Sequence, residues 1–558
     1  MSIDVALKHP SRPAYMTVRN ETAISVALAL LSLLFYMCAR KMFHLASVSA
    51  PVTLLMTCAS AAASIPFARV RYADIPKFLS LFIRVIAAVV TVQVFFDSID
   101  ATPGIPNLID FGASPLFASS LVIALLIGAA SVWRPVFAIP LFGYYLMFRL
   151  AIVNHIGIEV VETDYVGMIE TGLFSAIGAM VVVGACEWPA VRRVFASIIG
   201  GNGDTHGAAW LPDIREQALS LVWAIMVGAH LRNYLFSGLA KLEAGGSQPL
   251  TWLFHNNTAI SILMGLERGD NPLSKFPWLL QGVWDGITTH MVALNILVLG
   301  GQLLAPLGAL NRRILVALTI FYDLFHVGVY FTLGALFFYW ILINALIFAT
   351  SRHLPGRKLT LPMSIAMLLT MALGGKPFYT NHLGWLDGPK IASVQISAET
   401  RDGRSVNIPG PFFGIYAYNI AQDRLYLPPG SFPRRTGGNT QNLEDWHDAM
   451  TCGPMVNSHA DDEFSLGAVR RMIIDADQYA RERPWFKNWN TYYFYPHHMV
   501  PNPFEYRGFN ALRMSDIVAY DYRVDSVCLS LRDGRLQRDV RKTWSVRVPA
   551  GSQTAAAL

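Results

Sequence analysis

The stretch Arg232-Asn-Tyr-Leu-Phe-Ser-Gly-Leu-Ala-Lys241-Leu-Glu243 closes an apolar run that begins near Gln217. A run of that length crosses a bilayer as a helix, so its reading decides the fold. Counting back from Lys241, the residues Ser237, Asn233 or Tyr234, and His230 recur at helical spacing and share one face. A lysine placed there has two readings. In one, the side chain snorkels to the membrane surface. In the other, a cavity or partner receives it, because an ionisable group left in hydrocarbon costs several kcal/mol. Lysine is also the side chain whose pKa falls most readily on burial, which turns an inert ammonium into a base.

Working outward, apolar runs of span length recur at Thr22 to Cys38, Leu45 to Ala68, Pro76 to Phe96, Leu116 to Val132, Val136 to Val153 and Tyr165 to Cys186. After the run ending at Ala240 come Ile287 to Leu310, Ile314 to Leu333, Ala335 to Thr350 and Leu359 to Gly374. The chain of 558 residues is 53% hydrophobic and only 15% charged. These features predict a polytopic α-helical membrane protein of about eleven transmembrane helices.

Loop charge orients the spans. Arg69, Arg71 and Lys77, then Arg134, Arg192 with Arg193, Arg312 with Arg313, and Arg352 with Arg357 and Lys358 fall in alternate loops, which the positive-inside rule places in the cytoplasm. Only Arg40 and Lys41 run against it. The pattern puts the N-terminus inside, and Lys241 and the tail outside. No cleavable signal peptide is visible. The net charge of +6 resides largely in the inner loops, so a membrane-lipid environment is expected and no nucleic-acid partner.

The composition shifts at Lys376, dividing the chain into a membrane domain, 1–375, and an outer, β-rich extramembrane domain, 376–558. Ala392 to Ile408 and Val524 to Val548 read as hairpins, each with Asp-Gly between alternating apolar runs. Gly467 to Arg483 has helical spacing. The aromatic segment Trp485 to Tyr495 suits either a peptide substrate or partner, or the domain's own core and membrane seat. Cys452 and Cys528 share this outer domain and form a possible disulfide. Cys38, Cys58 and Cys186 lie in spans, where a free thiol acts as a small hydrophobe. The loop from Leu242 to Asp285 holds apolar stretches too short to span, expected as surface helices over a site.

A second polar span contains Thr319, Asp323, His326 and Tyr330 on one helical face, where the aspartate is placed to orient or charge the imidazole. The alternative is a structural pair between helices. Arg149, Tyr144, Tyr145, Tyr339, Trp340 and Asn344 are candidates to line the same cavity. No metal site is expected: the fourteen histidines are scattered, and the adjacent His497 and His498 diverge on either helix or strand. Nucleophile elbows and phosphate-binding loops are also missing, which disfavours a hydrolase or an ATP-driven pump.

The run Tyr234-Leu-Phe-Ser-Gly238-Leu-Ala-Lys241-Leu242-Glu243-Ala, with Trp252 after it, resembles the vitamin K-dependent γ-glutamyl carboxylase family. Phe325-His326 followed by Gly334-Ala-Leu-Phe-Phe-Tyr339 is similar to a second motif of that family. Bacterial relatives carry the membrane module, called the horizontally transferred transmembrane domain. There are departures. The family has two lysines where Ala240 and Lys241 stand, Gly245 to Pro249 is inserted before Trp252, and an earlier-span histidine has only His155 as a faint counterpart. The resemblance implies an integral enzyme of the bacterial inner membrane, with Lys241 and His326 catalytic. The cavity support would come from His230, Asn233, Tyr234, Ser237, Asp323, Tyr330 and Trp252. A reduced naphthoquinone, deprotonated by Lys241, would react with O2 and drive addition of CO2 to glutamate in a protein or peptide, the quinone leaving as an epoxide. The alternative is a non-catalytic quinone- or lipid-binding protein, or an export or anchoring scaffold of the same fold.

Overall fold

The computed structural model describes residues 18–47, 50–100, 115–156, 163–199, 211–356, 358–384, 388–421, 423–432, 451–453, 465–483, 487, 500–502 and 504–551. Its membrane domain opens with helices α1 (Val18–Ala46), α2 (Ala50–Ser64), α3 (Lys77–Asp100), α4 (Pro115–Ser131), α5 (Ala138–Ile156), α6 (Thr163–Glu187) and α7 (Pro189–Ile199). Next come α8 (Leu211–Glu243), the short α9 (Thr251–His255) and α10 (Ile260–Glu267), then α11 (Pro277–Thr289), α12 (Met291–Leu303), α13 (Arg312–Leu333), α14 (Phe338–Ser351) and α15 (Leu361–Leu373).

Among the described residues, α1, α3, α6, α8 and α13 are each long and apolar enough to cross a membrane. The helices α2, α4, α5, α14 and α15 are apolar but shorter. The run Ile287 to Leu310, read as one span, is instead broken: α11 and α12 meet at a 76° bend around His290. As expected, the loop after Lys241 holds short helices, although α10 is largely buried rather than lying at the surface. Cys186 is buried, whereas Cys38 and Cys58 face outward.

Helix α8 is the axis of the bundle, with α1, α6, α12 and α15 packed around it. Of its apolar window 89% is buried, against 22% for α13, so α13 forms an outer wall. Contacts gather the loops at two ends. At one, Asn20 reaches the Ile198 carbonyl, Arg69 lies 3.6 Å from Glu187, and Arg312 reaches the Gly356 carbonyl. At the other, Tyr36 donates to the Pro377 carbonyl and Arg40 pairs with Glu170 at 2.6 Å. Glu170 is almost fully buried and also accepts from the Tyr379 N–H at 2.5 Å. Arg40, the exception to the loop-charge pattern, therefore has its own counter-ion.

Beyond α15 the chain turns at residues 374–378 and continues without helix or strand through residue 384; the domain that follows contains a four-stranded antiparallel sheet in the order β2-β1-β3-β4. The strands are β1 (Lys390–Thr400), β2 (Ser405–Asn407), β3 (Ile517–Arg532) and β4 (Arg535–Pro549). Both expected hairpins form. Asp533 and Gly534 take positive φ, as a two-residue turn of matching twist requires. Besides the short α16 (Ala417–Ala421), the domain contains α17 (Leu466–Glu482), whose Val469, Met472 and Ile473 join Tyr520 and Tyr522 in the core. Buried Asp477 accepts from Arg481, Tyr520 and the Gly551 N–H. Cys452 and Cys528 are joined by a disulfide. The sheet docks on α10, where Glu267 accepts from Ser393 at 2.6 Å and pairs with Arg538 at 3.0 Å.

Candidate functional site

The polar stripe of α8 ends in a cavity of about 80 Å³, walled by α8, α12, α13, α14 and the loop that carries α9 and α10. Asn233, Tyr234, Ser237, Lys241, Trp252 and His326, all anticipated from the sequence, line it. Lys241 does not snorkel: it is 3% exposed. Its Nζ donates to the carbonyls of Ser237 (3.3 Å) and Leu383 (2.9 Å) and lies 5.3 Å from the Trp252 ring centre. Among the described residues no carboxylate pairs with it. The amine is held by neutral acceptors and a ring face, and two carbonyls leave one of its positions for an occupant of the cavity.

Three further polar atoms are buried and have no hydrogen-bond partner among the described residues: His326 Nδ1, Gln302 Oε1 and Trp340 Nε1. Their residues all line the cavity. An unmet donor or acceptor in a dry interior costs about 1–3 kcal/mol, so such atoms collected around one space call for a ligand or ordered water. Trp340 can only donate and Gln302 Oε1 can only accept, whereas the imidazole nitrogen does either. Val298, Phe325, Val329 and Phe337 supply the apolar walls.

Other expected residues sit behind the cavity rather than in it. Asn344, fully buried on α14, is their hub. Its Nδ2 donates to Tyr234 OH (2.8 Å) and to Asp323 Oδ1 (2.9 Å), while its Oδ1 lies 2.9 Å from His230 Nε2. Because a carboxyl oxygen must be the acceptor, Asp323 sets the amide's orientation, and the amide in turn makes His230 the donor. The Tyr234 ring, fixed at its hydroxyl, stacks on Tyr322 at 3.6 Å. Asp323 thus does not orient His326, contrary to the expectation from their spacing, because Asn344 occupies it. Tyr330 is half-exposed and meets Phe331 instead of the cavity. Arg149 bonds Tyr145, and Tyr339 bonds Gln93; none of these, nor Tyr144, lines the cavity.

The sequence reading missed Gln302, Asn256, Thr258, Ser261, Asn381 and Leu383. Gln302 carried a usable signal, being an amide inside an apolar run. Asn381 and Leu383 belong to the strap of residues 376–383, which lies along the α8 stripe. Arg232 donates to Thr380 Oγ1, Asn233 Oδ1 accepts from the Asn381 N–H, and Ser237 Oγ accepts from the Leu383 N–H. His497, His498 and the segment Trp485 to Tyr495, apart from Lys487, lie outside the described residues, as does the side chain of His155. Among the described residues no three His, Cys, Asp or Glu side chains gather as metal ligands. Comparison with protein-family models, curated proteins and solved structures found no match.

Proposed function

We propose that the protein is an integral membrane enzyme of the vitamin K-dependent γ-carboxylase type. It would use a reduced naphthoquinone, O2 and CO2 to carboxylate glutamate in a protein or peptide. The carrying observation is one cavity that holds both the counter-ion-free Lys241 and the unpaired His326 Nδ1. A flat apolar ring with oxygens on its edge fits the donor and acceptor set of Trp340, Gln302 and His326 between walls of Phe325, Phe337 and Val298. Bound there, the reduced quinone would supply the reducing power and, with O2, the strong base that an unactivated glutamate γ-proton demands. The chain's own part is to seat that ring, exclude water, and take a proton at Lys241 Nζ. Trp252 and the two carbonyls fix where the amine sits.

In this reading all eleven apolar segments cross or re-enter the bilayer of a bacterial cytoplasmic membrane, with residues 376–558 on the outer face. The loop charges and the grouping of loops at two ends support it. Peptide arrives from the water side and quinone from the lipid.

One observation favours a second reading, a non-catalytic quinone- or lipid-binding protein, or an export or anchoring scaffold. Lys241 clamps Leu383, so its burial has a structural use. Mass spectrometry of proteins encoded and expressed beside this one separates the two. The carboxylase reading expects glutamates heavier by one carboxyl, lost in Lys241→Ala while the chain stays folded. Unmodified glutamates in both strains would leave the scaffold as the better account.

A further inference from the structure

At 11 residues, two of them arginine, α7 is too short to cross a membrane, and its neighbours fix how it lies. Helices α1 and α6 pack side by side, and Arg40 of one pairs with Glu170 of the other. From Arg40 back to Asn20 along α1 is about 30 Å, and from Glu170 on to Glu187 along α6 about 26 Å. The end of α6 is thus already level with the start of α1. Yet Asn20 Nδ2 lies 3.4 Å from the carbonyl of Ile198, at the far end of α7. A straight continuation of α6 would carry Ile198 about 12 Å past Asn20. Helix α7 therefore turns at Trp188-Pro189 and runs across the end of the bundle.

Its sides are unlike. Phe195 is buried, with Val191 and Ala196 packed beside it on the bundle. Val194 and Ile198, one turn apart, are 55% and 51% exposed, and Trp188 at the turn is 64% exposed. Arg192, Arg193 and Ser197 are exposed on the remaining faces, and among the described residues no carboxylate pairs with either arginine. The adjoining turns repeat the pattern. Ile65, Phe67 and Trp133 stand exposed near Arg69, Arg71 and Arg134 in sequence, and the pairing of Arg69 with Glu187 at 3.6 Å joins one of these turns to the start of α7. The acids Glu21 and Asp213 at this end sit in the first turns of α1 and α8, where the helix N-termini attract them.

We propose that α7 lies flat in the membrane surface and binds anionic phospholipid headgroups. Val194, Ile198 and Trp188 enter the acyl-chain boundary, while Arg192 and Arg193 meet phosphate. The two requirements, an apolar flank and uncompensated cations on one short helix, are both met by a single lipid molecule. An acidic soluble partner would engage the arginines and leave the apolar flank in water. The proposal rests on the chain being a membrane protein and not on the carboxylase reading.

The test uses the full chain in nanodiscs of phosphatidylcholine mixed with phosphatidylglycerol. The exposed thiols Cys38 and Cys58 are changed to serine, and a spin label is placed in turn at Val194→Cys, Ser197→Cys and Ile198→Cys. Labels at 194 and 198 should be relaxed by oxygen, which concentrates in hydrocarbon, and the label at 197 by a water-soluble nickel chelate. Native mass spectrometry of the retained lipid gives the second readout. Arg192→Gln with Arg193→Gln should lower the ratio of phosphatidylglycerol to phosphatidylcholine at least about fivefold, the factor expected for one arginine at an anionic surface. Arg532→Gln with Arg535→Gln, on the exposed tip of the β3–β4 hairpin, removes the same charge elsewhere and should change the ratio by less than about twofold. Relaxation of all three labels by the nickel chelate alone would place α7 in water, leave its arginines to an acidic soluble partner, and overturn the proposal. An unchanged lipid ratio, or an equal fall in both double variants, overturns it as well.

Discussion

Lys241 Nζ lies 2.9 Å from the carbonyl oxygen of Leu383, a residue 142 positions further along the chain. The end of the central helix is thereby tied to the strap that leads to the C-terminal sheet domain. If the amine also serves as a base, Lys241→Met should lower turnover by at least about a hundredfold, in the range general-base loss produces. Stability should fall by only about 1–3 kcal/mol, the cost of an unmet Leu383 carbonyl. Paired rate and melting measurements check both, and a collapse of folding with no specific rate effect would leave only the clamp.

The unpaired atoms predict an unusual sign. Trp340→Phe removes a donor that has no partner in the protein, so the ligand-free chain should be as stable as the wild type, or slightly more so. Retention of the quinone should drop about tenfold for one lost hydrogen bond in a dry site. Thermal melts with and without quinone measure this; a large loss of stability in the ligand-free chain would count against it.

Arg40 and Glu170 should behave as a unit. Arg40→Gln strands the Glu170 carboxyl, of which only 1% is exposed, and should cost about 3–5 kcal/mol. The double variant Arg40→Leu with Glu170→Leu should recover most of that loss, as replacing a buried pair by apolar groups generally does. The coupling energy from this double-mutant cycle is the measurement.

Asp475 of α17, in the C-terminal domain, has its carboxyl pushed up from 3.8 to about 7, first by burial, with Arg471 pulling the other way. The folded domain keeps a proton there that the unfolded chain releases above about pH 4. The stabilisation is therefore complete below that pH and is lost as pH rises through about 7. Asp475→Asn should flatten the fall in the C-terminal domain's melting temperature between those two values. A slope equal to the wild type's would exclude this carboxyl as its source.

The Cys452–Cys528 disulfide spans 76 positions. A loop of that size corresponds to about 4.5 kcal/mol of unfolded-state entropy. Cys452→Ser should destabilise the C-terminal sheet domain by that order and leave the apolar helices intact, which circular dichroism with limited proteolysis would resolve.

Much of this architecture was legible beforehand because it rests on side-chain patterns. The Asp-Gly hairpins and the stripe from His230 to Lys241 follow from spacing and form, and the apolar runs lie in helices of which five are long enough to cross a membrane. The break at His290 did not show, since no proline marks it and the polar interruption, Thr288-Thr289-His290, is only three residues long. Asn344 looked weak because one amide gives no hint that it serves three partners on two other helices. The strap was invisible for a different reason: main-chain N–H and C=O groups are the same at every position, so their role there leaves no mark in the sequence.

That last feature divides mutational tolerance unevenly. The strap is held mainly at its own backbone, at Lys376, Pro377, Tyr379, Asn381 and Leu383, by side chains of α1, α6 and α8. Phe378, stacked on Tyr36, Thr380, and His382, edge-on to Phe236, also use their side chains to seat it. Residues 381 and 383 should therefore accept many substitutions in a saturation library yet reject proline, as should residue 379, because proline removes the required N–H. Arg40, Glu170, Asn233, Ser237 and Lys241 should accept few. The strap's letters are free to drift, while its path is recorded in helices made long before it in the chain.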